Sequence, residues 1–150
     1  TLGTANGGTG VTAIGSVAVT GSSTQSVNNA TYTKATLNVE SYDTNSWWDS
    51  ATNYRFTPQV AGKYLILANT GINAPVDAQY VITAFYKNGA GAFYAQPRAS
   101  GTNNQTFSSF YVMSFNGSTD YFEMYLYQDA GSAKNFDMDR TGVSIVWVGP

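Results

Sequence analysis

The sequence predicts an all-β domain, folded as a β-sandwich or jelly roll. Two observations support this: eight to ten short segments have β-type patterning, and no segment has a convincing helical period. Composition agrees, because aromatic residues make up 15% of the chain and charged residues 11%, against about 25% charged in an average soluble protein. A chain of 150 residues has the usual size of one domain.

The first half of the chain contains an entry segment and four predicted strands. Residues 1–10 are rich in glycine and are expected to form a linker, so the domain itself is predicted to span residues 11–150. Residues 21–29 read as a polar loop. In the second strand, Ala35, Leu37 and Val39 alternate with polar residues and are expected on one face. The four strands are predicted at 11–20, 32–41, 54–57 and 62–69.

The second half contains further strands separated by turn signals. Asn88-Gly89 and Asn116-Gly117 each follow a β-type run, and an Asn-Gly pair favours a tight hairpin because both central positions need positive φ. Several strands have apolar or tyrosine side chains on both faces, which predicts that a second copy of the chain covers one outer surface. The strands are predicted at 80–87, 106–115, 121–127 and 143–148.

A set of ordered motifs resembles the complement C1q and tumour-necrosis-factor-like jelly rolls. The resemblance begins with Leu37, Asp43, Trp48, Phe56, Gly62 and Tyr64, and continues at 86–89, 120–124 and 144–148. It implies a ten-stranded antiparallel jelly roll that assembles as a homotrimer, with side chains of one sheet filling the threefold axis. The candidates for these axial positions are Tyr121, Tyr125, Tyr127, Tyr64 and Tyr80.

The entry segment carries a second resemblance. Residues 5–12 are similar to Asn-Gly-Gly-Thr-Gly stretches of bacteriophage tail-fibre and other virion proteins. The resemblance implies a structural protein on the outer surface of a phage particle, with other virion proteins as partners. The chain starts at Thr1 rather than Met, so we expect it to be a piece of a longer polypeptide.

Several classes of chemistry are excluded by composition. The chain has no His and no Cys, which excludes catalytic triads with a His base, Cys nucleophiles and the usual zinc sites. Its seven basic residues are scattered and its net charge is −2, so no nucleic-acid partner is expected. No apolar run approaches the roughly 20 residues needed to span a bilayer, so no membrane insertion is expected.

One loop is a candidate ligand site. Trp47 is accompanied by Asp43, Asn45 and Asp49, and an aromatic face with nearby polar groups suits the stacking of a sugar ring. The alternative is that Trp48 lies in the core and Trp47 merely covers the loop.

Three aspartates are a candidate metal site. Asp129, Asp137 and Asp139 lie around the last two strands, and carboxylates that converge on one point could bind Ca²⁺. The alternative is that they are solvated loop residues. No other cofactor is expected.

The two glutamates do not indicate an enzyme. Glu40 and Glu123 are the only glutamates, and nothing in their spacing favours a glycosidase pair, so the sequence predicts a protein that is not an enzyme.

Together these observations predict a non-enzymatic, trimeric head domain of a phage structural or fibre protein. It would hold the trimer together and recognise a carbohydrate or protein on the host surface through loops at the end away from the linker. The alternative is a purely structural module, such as a capsid decoration or collar protein. A hydrolase acting on host polysaccharide is the third hypothesis.

Overall fold

A computed structural model describes residues 15–150 as a sandwich of two antiparallel sheets. Within this range there is no helix, and therefore none long and apolar enough to cross a membrane. The strands are β1 (Ser16–Thr20), β2 (Thr24–Val27), β3 (Thr33–Lys34), β4 (Val39–Asp43), β5 (Trp48–Asp49), β6 (Arg55–Phe56), β7 (Ala61–Ile72), β8 (Val81–Lys87), β9 (Ala90–Ala95), β10 (Gln105–Asn116), β11 (Phe122–Gln128) and β12 (Lys134–Gly149).

Each sheet has six strands. Sheet A has the order β10-β7-β12-β1-β4, with β2 also paired to β12, and sheet B has the order β5-β6-β11-β8-β9, with β3 also paired to β11. The predicted all-β sandwich is confirmed. Residues 15–150 form twelve strands rather than ten, and three of them, β3, β5 and β6, are only two residues long.

The inward faces of the two sheets form one core. Phe122, Met124 and Leu126 are fully buried, as the alternation along β11 predicts. The two sheets are also joined by a polar contact, because the hydroxyl oxygens of Thr70 on β7 and Thr83 on β8 lie 2.6 Å apart in the buried interior. A buried hydroxyl that is paired in this way avoids the cost of losing its water.

The predicted strand over 32–41 is in fact two strands in different sheets. β3 pairs with β11 in sheet B and β4 pairs with β1 in sheet A, and between them Ala35 and Leu37 enter the core. Val39 was expected on the same face but is 43% exposed, because the chain changes sheets before reaching it.

The predicted polar loop over 21–29 contains β2, which pairs with β12. Its polar residues gave no strand signal. The predicted linker, residues 1–10, and the first residues of the predicted first strand lie outside the described residues.

The described chain enters at one end of the sandwich, which we call the entry end. The N–H of Trp147 donates to the carbonyl of Gly15, and the N–H of Thr44 donates to that of Ser16. The loops 44–47, 57–60, 88–89 and 117–121 also lie there. The opposite, distal end carries the loops 73–80, 96–104 and 129–133.

Candidate functional site

The outer face of sheet A carries a group of exposed apolar side chains, which we call the apolar face. Phe110 on β10 lies opposite Leu67 on β7, and Val112 lies opposite Leu65, which is in turn opposite Val146 on β12. Phe110 is 70% exposed, and Leu67 and Val112 are each 47% exposed. The single protomer therefore leaves a contiguous aliphatic and aromatic surface in water, which is typical of a protein interface.

Two open cavities border the apolar face. On one side, small side chains such as Ala18 and Ser144 beside Leu67 leave a groove of about 370 Å³. On the other side, a cavity of about 480 Å³ lies where the edge strands β9 and β10 meet, lined by Phe93, Phe110 and others. A protruding phenylalanine and a groove floored by small residues thus lie on one surface.

The outer face of sheet B is different in chemistry, and we call it the tyrosine face. Its members form a continuous network of ring contacts: the centroid of Tyr32 lies 4.7 Å from that of Tyr127, 5.7 Å from that of Tyr94 and 6.3 Å from that of Tyr86. Tyr86 stacks on Tyr125 with a centroid distance of 4.1 Å. The tyrosine face therefore consists of Tyr32, Tyr86, Tyr94, Tyr125 and Tyr127.

The tyrosine face explains the second apolar side of β8. Ala84 pairs with Tyr125 on one neighbouring strand and with Tyr94 on the other, and Ile82 pairs with Tyr127. Ala84 is fully buried and Ile82 is 5% exposed within the protomer. The tyrosine rings thus cover this side of β8 without a second copy of the chain.

One ion pair lies at the margin of the tyrosine face. The Nζ of Lys34 is 2.6 Å from Oε1 of Glu123 and 6.0 Å from the ring centroid of Tyr125. Lys34 also donates to the carbonyl of Asn53. Glu123 is almost fully buried, and its charge is balanced by this lysine.

The predicted stacking of a sugar on Trp47 is wrong. Trp47 is only 8% exposed, and its ring packs edge-on against Phe56 and Tyr64, with centroid distances of 6.0 Å and 6.4 Å. Gly15 packs so closely against the indole that a Cβ there would lie 2.0 Å from the ring. The indole is therefore enclosed, and the alternative interpretation, in which both tryptophans are structural, describes these residues.

The hydrogen bonds of Trp48 explain the spacing of Leu37, Asp43 and Trp48 in the motif that resembles C1q-like jelly rolls. Its indole N–H donates to the carbonyl of Leu37 at 3.0 Å, and its backbone N–H donates to the carboxylate of Asp43 at 2.7 Å. Asp43 also accepts from the N–H of Asn45. Three of the matching residues therefore form one hydrogen-bonded unit that fixes the loop.

Asn45 and Asp49 line an open cavity of about 380 Å³. Its other lining residues include Trp47, Trp48, Arg55 and Gln59. The loop 44–47 lies at the entry end, next to the first described residues, and is not one of the loops of the distal end. A ligand role for Asn45 and Asp49 stays a prediction.

Asp49 has a structural role that leads to a prediction. Hydrogen bonds from the Thr52 N–H, the Asn53 side chain and further backbone N–H groups hold the pKa of Asp49 at about 2. A depressed pKa means that this stabilisation is present above about pH 4, where the unfolded carboxyl ionises, and is lost as the pH falls through about 2.

We expect Asp49→Ala to lower the free energy of unfolding at pH 7 by about 1 kcal/mol, a figure reduced for solvent screening. The difference between the variant and the original chain should shrink as the pH falls from about 4 to about 2. Urea unfolding at a series of pH values measures this. A difference that stays constant over that range would contradict the role given to the carboxylate.

The predicted axial residues do not share one environment. Tyr64 is fully buried inside its own protomer, where burial raises its pKa to about 12, so its assignment to a surface between copies is wrong. Tyr80 and Tyr121 make no ring contact with the tyrosine network; they lie under the guanidinium groups of Arg98 and Arg55, at 3.8 Å and 4.6 Å from the ring centroids. Only Tyr125 and Tyr127 belong to the tyrosine face, and their contact with another copy stays a prediction.

The candidate Ca²⁺ site is wrong. Across residues 15–150, no three acidic side chains come together in a way that would hold a metal ion. Asp137 pairs with Arg140 at 2.7 Å, and Asp129 accepts from the backbone N–H of Tyr80. Asp139 is exposed in the irregular part of β12, where the pairing with β7 is interrupted.

The two glutamates also lie apart. Glu40 is exposed on β4 at the edge of sheet A, whereas Glu123 is buried in sheet B against Lys34. They belong to opposite sheets and do not form a glycosidase pair.

Solved structures decide the fold. Murine APRIL matches with a TM-score of 0.66 over 91% of this chain and 100% of its own, at 8% sequence identity. The globular domain of the zebrafish complement 1qA protein matches with a TM-score of 0.60 over 89% of this chain and 97% of its own, at 11% identity. This chain has the TNF/C1q jelly-roll fold.

A phage protein has the same jelly roll. The PRD1 vertex protein P5 matches with a TM-score of 0.63 at 17% identity, covering 93% of this chain and 99% of that one. At these identities the jelly-roll matches establish a shared fold and nothing further. No protein-family model matches the sequence, and no curated protein matches it either.

Proposed function

We propose that this jelly roll is a non-enzymatic, self-associating head domain of a phage virion protein, and that it assembles as a homotrimer through the apolar face. The exposure of Phe110, Leu67 and Val112 carries this proposal. Burying such a face stabilises an assembly by roughly 25 cal/mol per Å² of apolar surface removed from water. The sequence resemblance to C1q and TNF-like jelly rolls, which assemble as trimers, supports the number of copies.

The shape of the apolar face supports a cyclic assembly. Phe110 protrudes from the edge strand β10, whereas the groove beside Leu67 is floored by small residues in the interior of the sheet. A contact between two different regions of one surface is heterologous, and such contacts close into a ring when the rotation between neighbours allows it. The proposed trimer places Phe110 of each copy against the sheet A face of the next.

Light scattering on the purified chain tests the assembly. Three copies of the 16.1 kDa chain give an expected mass of about 48 kDa. A mass of one chain at micromolar concentration would contradict the proposal.

The virion location rests on the resemblance of residues 5–12 to phage fibre stretches and on the fold shared with a vertex protein. In this setting a trimeric head presents three identical surfaces on one rigid axis, which raises the avidity of weak contacts to a host surface.

The shared fold with a vertex protein also favours a second candidate, a module that only stabilises the particle. A glycan array and the stability of particles lacking the domain distinguish the two. Failure to bind any glycan, together with weakened particles, would support the structural module.

A further inference from the structure

We infer that the tyrosine face binds a neutral glycan chain, laid flat across sheet B. This inference rests on the proposed function, because it names the class of host ligand that the head would recognise. It replaces Trp47, which is 8% exposed, with a different set of aromatic side chains as the sugar platform.

The first step is that the face offers aromatic surface that is already in position. Tyr32 and Tyr94 are 37% and 38% exposed, and the three neighbouring members, Tyr86, Tyr125 and Tyr127, are half-buried. Every ring lies against at least one other ring, with Tyr86 stacked on Tyr125. Because the rings hold one another, a ligand that stacks on them orders few additional side chains.

The second step is the polar edge of these rings. Within the part of the chain that the structure describes, no hydrogen bond engages the hydroxyl of Tyr32 or that of Tyr127. Each phenol carries one donor and acceptor oxygen, so the face presents hydroxyl groups next to apolar ring surfaces. A sugar ring has the matching pair of features: an apolar face of C–H groups and a rim of hydroxyls.

The third step is charge. The ionised side chains beside the rings, Lys34 and Glu123, lie 2.6 Å apart and cancel each other. Among the described residues, this ion pair leaves no unpaired charge in contact with the five rings, and a neutral, polyhydroxylated chain complements them best.

The contrast with sheet A decides between a glycan and a second copy. The apolar face has leucine, valine and phenylalanine, which lose nothing polar when a protein covers them. A protein over the tyrosine face would have to supply hydrogen-bond partners for the hydroxyls of Tyr32 and Tyr127, since an unpaired buried hydroxyl is costly. The two outer surfaces therefore suit different occupants.

Affinity electrophoresis in gels containing neutral polysaccharides, among them dextran, soluble starch and hydroxyethyl cellulose, tests the inference on the whole chain. We expect retardation in at least one gel, and a loss of at least about tenfold in affinity for the double variant Tyr32→Ala/Tyr94→Ala. Tyr32→Phe/Tyr94→Phe, which keeps the rings, should retain part of the binding. Val76→Ala, at an exposed position in the distal loop 73–80, should bind as the original chain does.

Three outcomes would overturn the inference. The first is that the unmodified chain is retarded in no neutral gel. The second is that the alanine double variant binds as well as the original chain while remaining folded by circular dichroism. The third is that this variant loses its oligomeric mass in light scattering, because the tyrosine face would then lie between copies. A chain that is monomeric but still binds through these tyrosines would sink the proposed trimer and leave the glycan site standing.

Discussion

Phe110→Asp is expected to convert the trimer of about 48 kDa into single chains of 16.1 kDa without unfolding them. Phe110 is 70% exposed in the protomer, so a polar side chain there costs the isolated fold little. In the trimer the same position is covered three times, once at each contact. Burying three carboxylates without partners in an apolar interface costs more free energy than burial of the apolar surface provides, so the trimer should dissociate.

Light scattering and circular dichroism measure the two parts of this expectation. Val76→Asp is the matched control, because Val76 is also an exposed apolar residue but lies in a distal loop away from the apolar face. It should keep the mass of three chains. If Phe110→Asp also keeps that mass, the apolar face does not hold the copies together.

Trp47→Ala is expected to lower the free energy of unfolding by about 3–5 kcal/mol. The indole packs against a cluster of aromatic rings between the two sheets. The ring centroids of Phe56 and Tyr64 lie 5.5 Å apart, and each of these two rings contacts Phe115 edge-on. Truncation removes the contacts of the indole with Phe56 and Tyr64 and leaves a cavity at the entry end, where Gly15 packs against the ring. A ligand-binding surface tryptophan would show no such loss.

Denaturant unfolding at one fixed protein concentration measures this effect, since association also contributes to apparent stability. Trp47→Phe is the matched variant and should lose less, because a smaller ring still fills part of the space. An unfolding midpoint for Trp47→Ala equal to that of the original chain would show that the tryptophan is not part of the core.

Most of the fold could be predicted because its strands alternate. β11 reads as buried and exposed residues in turn, and the Asn88-Gly89 turn has positive φ at both positions, as its sequence predicts. The strands that were missed or merged have different causes. β2 is polar, and the segment from β3 to β4 keeps one alternating pattern while it crosses from sheet B to sheet A.

The candidate site was harder to predict because the sequence does not say what covers a side chain. Tyr64 and Tyr125 look alike in the sequence, yet one is enclosed by Trp47, Phe56 and Phe115 and the other stacks on Tyr86 at the surface. That difference depends on which strands become neighbours, which is a long-range property.

The apolar face did leave a signal. Leu67 and Phe110 lie on strands whose opposite sides are also apolar. Apolar side chains on both sides of a strand were the reason to expect that another copy of the chain covers an outer surface. The sequence does not show which of the two sheets has the uncovered outer side. Sheet B covers its own second side with tyrosines, whereas sheet A leaves its second side open.

The reactivity of one introduced thiol tests most directly whether copies of the chain cover the apolar face. The chain has no Cys, so Leu67→Cys carries a single reporter, and Val76→Cys is a matched control of similar exposure in the protomer, 47% against 42%. The trimer predicts that a thiol at 67 is alkylated at least about tenfold more slowly than one at 76. Equal rates at the two positions would show that the apolar face stands open to water.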